Sequence, residues 1–521
     1  MQPVGTARVR TALAALGGAA GAGLLVALVF LMRAGAAGES NWPVHWELRS
    51  SDNGVLFQVM QDISAGRGLD WSFSPQVYVF PELPVSAAAF FAGGGDIYRY
   101  YLLVAAFNGA LLFLALFLLV SVLFRSESRL SRVARATAAF APLVILPLIG
   151  GAWLPAYHLA PTYYFGLYLM VFAAPAFFLV RGRTSRVLLG VALALTTASN
   201  PLVLVFCGAP FAAALALLWL RRGFGAVLRP AVEAIVVLAV ALVVRLVFFS
   251  PLQGVSPLSY IDGTVFAGRL AALGPYFSGV AGDPATRVVL IIGAALALIL
   301  LIAAAVLIVM VARRRIGPGP RVLTAVYLGL VPLIGLSCTL ALLITHYLYF
   351  WPVLVAPFVI ALLALPPRWA PRALMPIAAA FVVVAIASGG VAGLAHQNEY
   401  FAYRSAETRC LDEALPAGSV GYATFSDARR VSLPSATGIR LVPLKPDLTH
   451  ATWLTNLDYF TTFPGSFFYL NSAGDEPELS RDAITGLFGQ PDRIARCDGD
   501  HELFIYDDQI ALAQIADRFG G

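Results

Sequence analysis

The chain has 521 residues, 59% of them hydrophobic and only 12% charged, with a formal net charge of +6 and a mean hydropathy of +0.79. A water-soluble domain carries about a quarter charged residues, so this composition excludes a soluble globular enzyme and places most of the chain in lipid. The positive excess is not a nucleic-acid footprint, because the arginines fall in short clusters between apolar runs and Lys445 is the only lysine.

Eleven apolar runs succeed one another: 11–31, 101–124, 136–155, 164–180, 187–199, 202–220, 231–249, 288–311, 322–345, 347–365 and 373–395. A spanning helix needs roughly 20 such residues, fewer where neighbours shelter it. Arg8 and Arg10 precede the first run. Arginines then close each even-numbered run: Arg125, Arg129, Arg132 and Arg135 after the second, Arg181, Arg183 and Arg186 after the fourth, Arg221 and Arg222 after the sixth, Arg313, Arg314 and Arg315 after the eighth, Arg368 and Arg372 after the tenth. That alternation follows the positive-inside rule. It predicts a polytopic α-helical membrane protein with about eleven transmembrane helices, a cytoplasmic N-terminus, and everything after Ala395 on the outside of the plasma membrane. The first run has the look of a signal peptide, with small residues at 34–38; retention is the favoured reading, and either outcome delivers the next loop to the outside. The fifth and sixth runs are short and broken at Asn200-Pro201.

Within a transmembrane domain of residues 1–395, two external loops are long, 34–99 and 250–287. The first opens with WELRSSDNGVLFQVMQDISAGRG, which carries Glu47, Asp52 and Asp62. Val55, Leu56, Val59, Met60 and Ile63 recur at helical spacing behind Asp52, which predicts a short amphipathic helix suited to a membrane surface, ended by Gly66 and Gly68. Asp52 is read as a catalytic carboxylate or as a helix N-cap; Glu47 and Asp62 read as solvated charges. The aromatic and proline-rich SFSPQVYVFPELPVSAAAFF that follows suits an interfacial or re-entrant segment. Residues 396–521 gain charge and turn residues and lose long apolar stretches, as a small domain would. The expectation there is an α/β fold, with helices at 406–414 and 480–488 and strands at 418–423, 467–470 and 502–506. Cys410 and Cys497 both lie in it, paired on an oxidising face or present as two free thiols; Cys207 and Cys338 sit in apolar runs as packing residues.

No Walker A sequence, no G-x-G-x-x-G between strand and helix, and no His or Cys cluster at metal-ligand spacing occurs. What remains is a set of polar side chains near the outer ends of helices. Arg245, inside ALVVRLVFF, either holds a phosphate or snorkels to the interface. His346 and Tyr347 contact a headgroup or phosphate, or anchor the span as part of an aromatic belt. Tyr157 and His158 between the third and fourth runs are a further pair of substrate-binding candidates.

The plan of nearly the whole chain resembles the GT-C superfamily of polytopic membrane glycosyltransferases, which use polyprenyl-phosphate sugars. The residues that carry the resemblance are an Asp early in the first external loop (SSDNGVLFQVMQDISAGRG), the aromatic-proline segment SPQVYVFPELP, the ASNPL break, the HYLYFWPVL start of a late span, and an external C-terminal domain. The resemblance implies that Asp52 is the general base on an acceptor hydroxyl. It places the phosphate-binding basic position on His346, where arginine is more usual, with Arg245 as a compensating cation. Asp52 is followed by Asn53, so the paired-acid motif is missing and a divalent metal cofactor is left without support. The implied partners are a polyprenyl-phosphate-linked sugar donor, an envelope glycan, lipid or protein acceptor, and membrane lipid; no nucleic acid is implied. Inverting sugar transfer for cell-envelope biogenesis is the leading expectation, with a transporter or flippase of a lipid-linked sugar, or a non-catalytic membrane scaffold, as alternatives.

Overall fold

The computed structural model describes residues 4–35, 51–68, 70–149, 164–254, 284–342, 350–365, 375–384, 401–462, 465–471, 478–497 and 501–519, with isolated positions at 274, 278, 282, 387, 398 and 400. Among these, seven helices are long and apolar enough to cross a membrane by length and composition: Thr11–Leu31, Ile97–Leu123, Arg129–Pro147, Leu204–Arg222, Phe224–Leu252, Pro284–Ala312 and Pro320–Cys338. The other four apolar runs also contain helices, at Phe165–Leu179, Arg183–Ser199, Trp351–Leu354 with Ala356–Ala364, and Met375–Val384, each too short to count on length. The helix Phe224–Val244 turns large apolar side chains outward, Ile235 and Leu242 among them, and Pro284–Ala312 does the same with Ile291 and Leu298. That surface suits lipid rather than water.

The first helix, Val4–Gly35, packs along Ile97–Leu123. Gly23 allows it, because a Cβ there would stand 2.7 Å from the Ala106 carbonyl oxygen, the close backbone approach that small residues permit between apolar helices. One arginine of the clusters that close the even-numbered runs is buried. Arg135 is wholly enclosed, paired with Glu127 at 2.8 Å, donating to the Leu365 carbonyl at 2.7 Å, and lying over the Phe124 ring. A guanidinium removed from solvent persists only with such partners.

The second half of the inter-span segment 51–96 forms the helix Glu82–Ala92. Glu82 is buried, and its Oε1 accepts from the Gly166 N–H at 2.8 Å, in the first turn of Phe165–Leu179, where the helix dipole favours a carboxylate. Burial nevertheless pushes this carboxyl from its ordinary 4.5 up to about 7. A folded-state value above the unfolded one means that stability is fully present below the unfolded value and is lost as pH rises through about 7. Glu82→Gln keeps an acceptor for Gly166 and carries no charge. It should leave the unfolding midpoint at pH 4 unchanged and raise it at pH 8, by roughly 2–3 kcal/mol of stability at most. Identical pH profiles for parent and variant in thermal unfolding would remove Glu82 as the cause.

The C-terminal domain is a mixed five-stranded sheet in the order Arg440–Leu444, Val420–Thr424, Phe467–Asn471, His501–Ile505, Arg493–Arg496; apart from it, β1 (Trp71–Ser72) of the segment after the first helix pairs with β4 (Thr455–Asn456) of the domain. Strand β2 (Val420–Thr424) runs parallel to β3 (Arg440–Leu444) and β5 (Phe467–Asn471), while β7 (His501–Ile505) is antiparallel to β5 and β6 (Arg493–Arg496). Side chains alternate across a strand. Phe468 and Leu470 therefore enter one core with Ile484, Phe488, Ile515 and Phe519, while Phe467 and Tyr469 enter the other with Leu411, Ala428 and Val431. The expected helices and strands occur within a few residues of their anticipated bounds; the helices Phe425–Ser432 and Gln509–Phe519 were not anticipated.

Cys410 and Cys497 form a disulfide, Cα–Cα 5.5 Å, across 87 positions of sequence. A loop of that length corresponds to about 4–5 kcal/mol of unfolded-state entropy in the chain-entropy model. Replacing both cysteines by serine should lower the domain's thermal stability by several kcal/mol, and a reductant should do the same to the parent alone. An unchanged midpoint would show that the packed sheet suffices.

Candidate functional site

The Asp52 helix, Ser51–Ser64, is buried almost all round. Its expected apolar set is inside, apart from Ile63 at 41% exposure, but Asn53, Phe57 and Asp62 are buried as well. The polar face meets protein where the sequence pattern suggested water or headgroups. What covers it is the helix Phe425–Ser432 of the C-terminal domain. Gly54 sets this approach: a Cβ there would run into Leu433 and stand 3.4 Å from Arg429 Cβ. Ser51 adds a tie from its hydroxyl to the Phe425 carbonyl at 2.7 Å.

Asp62 is 1% exposed, so its reading as a solvated charge is corrected. Its oxygens accept from Tyr459 Oη at 2.7 and 2.8 Å and from Asn456 Nδ2 at 2.9 Å, and Arg67 Nε lies 3.5 Å away. Both hydrogen-bonding partners belong to the C-terminal domain. The buried carboxylate therefore stitches the inter-span segment to that domain, and in turn holds the Tyr459 phenol well above its usual range, after burial itself. Alongside it, β1 pairs antiparallel with β4, Trp71 opposite Asn456, and the Leu457 N–H donates to the Asp70 carbonyl at 2.7 Å.

Arg429 is the side chain that sequence reasoning missed. It is 3% exposed; Nε donates to Gln58 Oε1 at 2.7 Å and Nη2 to the Leu454 carbonyl. The guanidinium lies 5.2 Å over the Phe425 ring and 5.9 Å over that of Trp71. Burial draws it down to about 10, opposed by Tyr459, Asp52, Asp62 and Tyr101. At neutral pH the phenols are uncharged, so the carboxylates of Asp52 and Asp62 are the groups that hold it as a cation. Nothing in the local sequence, FSDARRVS, separates Arg429 from Arg430 beside it, which pairs with Glu407 and Asp427 inside its own domain. Only the docking of its helix does so.

Asp52 stands in the first turn of its helix, half-buried, within electrostatic reach of Arg429. Its neighbour Asn53 is fully buried, as a turn of about 100° between successive helical residues requires. Arg245 opens a π-helical turn, Arg245–Phe249, and donates from Nη1 to the Ala198 carbonyl at 2.8 Å and from Nη2 to that of Pro75 at 3.1 Å. It thereby ties the segment after β1 to the end of the helix Arg183–Ser199. The ASNPL break serves the same segment: Ser199 accepts from the Val77, Val79 and Phe80 N–H groups through its carbonyl and hydroxyl oxygens. Further along, Phe73 bridges to Gln253 beyond the π turn. The segment 71–80 is thus held on one side by the C-terminal domain and on the other by the helix ends near residues 199 and 252. Glu47, Tyr157, His158, His346 and Tyr347 lie outside the described residues.

An apolar pocket of about 370 Å³ is lined by Phe178, Leu193, Phe211, Ile235, Leu238 and other side chains, with a second of about 230 Å³ sharing Phe178 and Phe211. Among the described residues no three His, Cys, Asp or Glu side chains are grouped to hold a metal ion. Comparison of the chain with protein-family models, with curated proteins and with solved structures gives no match.

Proposed function

We propose that the chain is a GT-C-like glycosyltransferase of about eleven spans, which moves a sugar from a polyprenyl-phosphate donor to an envelope acceptor on the outer face of the membrane. The observation that carries the reading is the seam at the Asp52 helix: a half-buried carboxylate directly after the first apolar helix, opposed by a buried guanidinium from the C-terminal domain. Inverting transfer needs that pairing of roles. Asp52 takes the proton of an acceptor hydroxyl, the oxygen attacks the anomeric carbon, and the bond from that carbon to the phosphate oxygen breaks with its electrons on the phosphate. A fixed cation offsets the charge that develops there. Two guanidiniums border the 71–80 segment, Arg245 at Pro75 and Arg429 at Trp71. The apolar cavities are of a kind to take part of a polyprenyl chain.

The test is transfer by the purified full chain in nanodiscs, from a panel of short-chain polyprenyl-phosphate sugars. Turnover of any donor supports the reading. Binding of lipid-linked sugar with no turnover of any of them favours a carrier, and absence of both removes the lipid-sugar reading altogether.

A further inference from the structure

Two buried donors at the seam have no acceptor among the described residues: Nη1 of Arg429 and Nε1 of Trp71. Both residues are 3% exposed, and the guanidinium lies 5.9 Å from the Trp71 ring. A buried N–H without a partner is costly, and here two lie on adjoining side chains. A third donor, Nε2 of the half-buried Gln253, also has no acceptor among the described residues, and Gln253 is bridged to Phe73, two positions beyond Trp71. All three are donors, and one belongs to a cation. What such a set lacks is an oxyanion. Arg429 faces two carboxylates, Asp52 and Asp62, and Asp62 is shared with Arg67, Tyr459 and Asn456.

We infer that Trp71 and Arg429 form a seat for a phosphate oxyanion across the seam, so that occupancy fastens the C-terminal domain to the Asp52 helix. The ligand class is a phosphate ester of a lipid carrier, which rests on the proposed function, or free phosphate, which does not. Because Arg429 comes from the C-terminal domain and Trp71 from the inter-span segment, the seat exists only when the two are docked. A ligand that binds the docked state alone must stabilise docking. The domain is then part of the site and closes on its substrate.

The experiment uses the full chain in nanodiscs, with farnesyl phosphate, farnesol and inorganic phosphate as probes. Affinity is read by calorimetry, and docking by hydrogen exchange at the amides of Leu457 and Phe73, which donate across the seam to Asp70 and Leu252. Farnesyl phosphate is expected to bind and to slow exchange at both amides, and farnesol to leave them unchanged. Trp71→Phe keeps the ring and removes the N–H; it should weaken farnesyl phosphate about tenfold, the scale of one hydrogen bond to a charged group, without lowering the unfolding midpoint of the ligand-free protein as a purely structural N–H would. Arg429→Gln should weaken it further. Protection by inorganic phosphate to the same extent would confirm the seat and identify its ligand as the free anion. Equal affinity in parent and both variants, or binding with no change in seam exchange, would overturn the seat. Sugar transfer persisting in that case would leave the proposed function standing without it. Conversely, phosphate binding through Trp71 with no transfer of any sugar would keep the seat and remove the glycosyltransferase.

Discussion

Asp52→Asn is expected to lower sugar transfer by two to four orders of magnitude, the range that removal of a positioned general base produces, with donor binding retained. The substitution is nearly isosteric, and Asp52 is only half-buried, in the first turn of its helix. The anchors of that helix, Gly54 against Arg429 and the Ser51 hydroxyl on Phe425, do not involve it. A loss confined to turnover therefore reports chemistry and not unfolding. Loss of the carboxylate's charge beside Arg429 adds an opposite, smaller effect, since an anionic ligand meets less repulsion and should bind the variant no more weakly. Single-turnover transfer, donor titration and the unfolding midpoint, measured side by side, separate these. Equal transfer by parent and variant would reduce Asp52 to a helix-terminal charge and move the base elsewhere.

Asp62→Ala should have the largest effect on architecture. It removes an acceptor shared by Tyr459 and Asn456 in a buried seam, leaves the Asn456 amide with the Gly68 carbonyl, and takes away one of the two carboxylates that balance Arg429. Breaking a buried, hydrogen-bonded charge by deleting one partner costs about 3–5 kcal/mol, enough to release a docked domain whose own core and disulfide are independent of the contact. The expected signature is rapid exchange at the Leu457 amide and protease sensitivity in the segment around 455–462, with the five-stranded sheet still protected. Asp62→Asn keeps a carbonyl acceptor for Tyr459 and should be much milder, about 1–2 kcal/mol. If both variants exchange like the parent, β1–β4 pairing and helix packing hold the domain without the carboxylate.

The broad class follows from the chain alone because lipid imposes a one-dimensional demand. Each helix must satisfy its own backbone and present apolar side chains, so position along the sequence is enough to find it. All eleven apolar runs contain helices, seven of which reach spanning length among the described residues. The disulfide partners are 87 positions apart and meet because Cys497, just past β6, and the helix Ala406–Ala414 enter the core on the same face of the sheet. Periodicity also located the helix behind Asp52, but not what covers it. A polar face reads the same whether water, headgroups or a protein partner lies against it. Asp62 and Arg429 are 367 positions apart, and nothing local in either stretch marks them as neighbours. Arg135 and Arg245 likewise read as surface or phosphate-binding cations until backbone carbonyls from distant helix ends are placed beside them. Charge and polarity are thus recorded in the sequence, whereas burial and partnership, which decide whether a charged group is solvated, structural or poised for a ligand, arise only when distant segments pack together, as the C-terminal domain does over the segment after the first apolar helix.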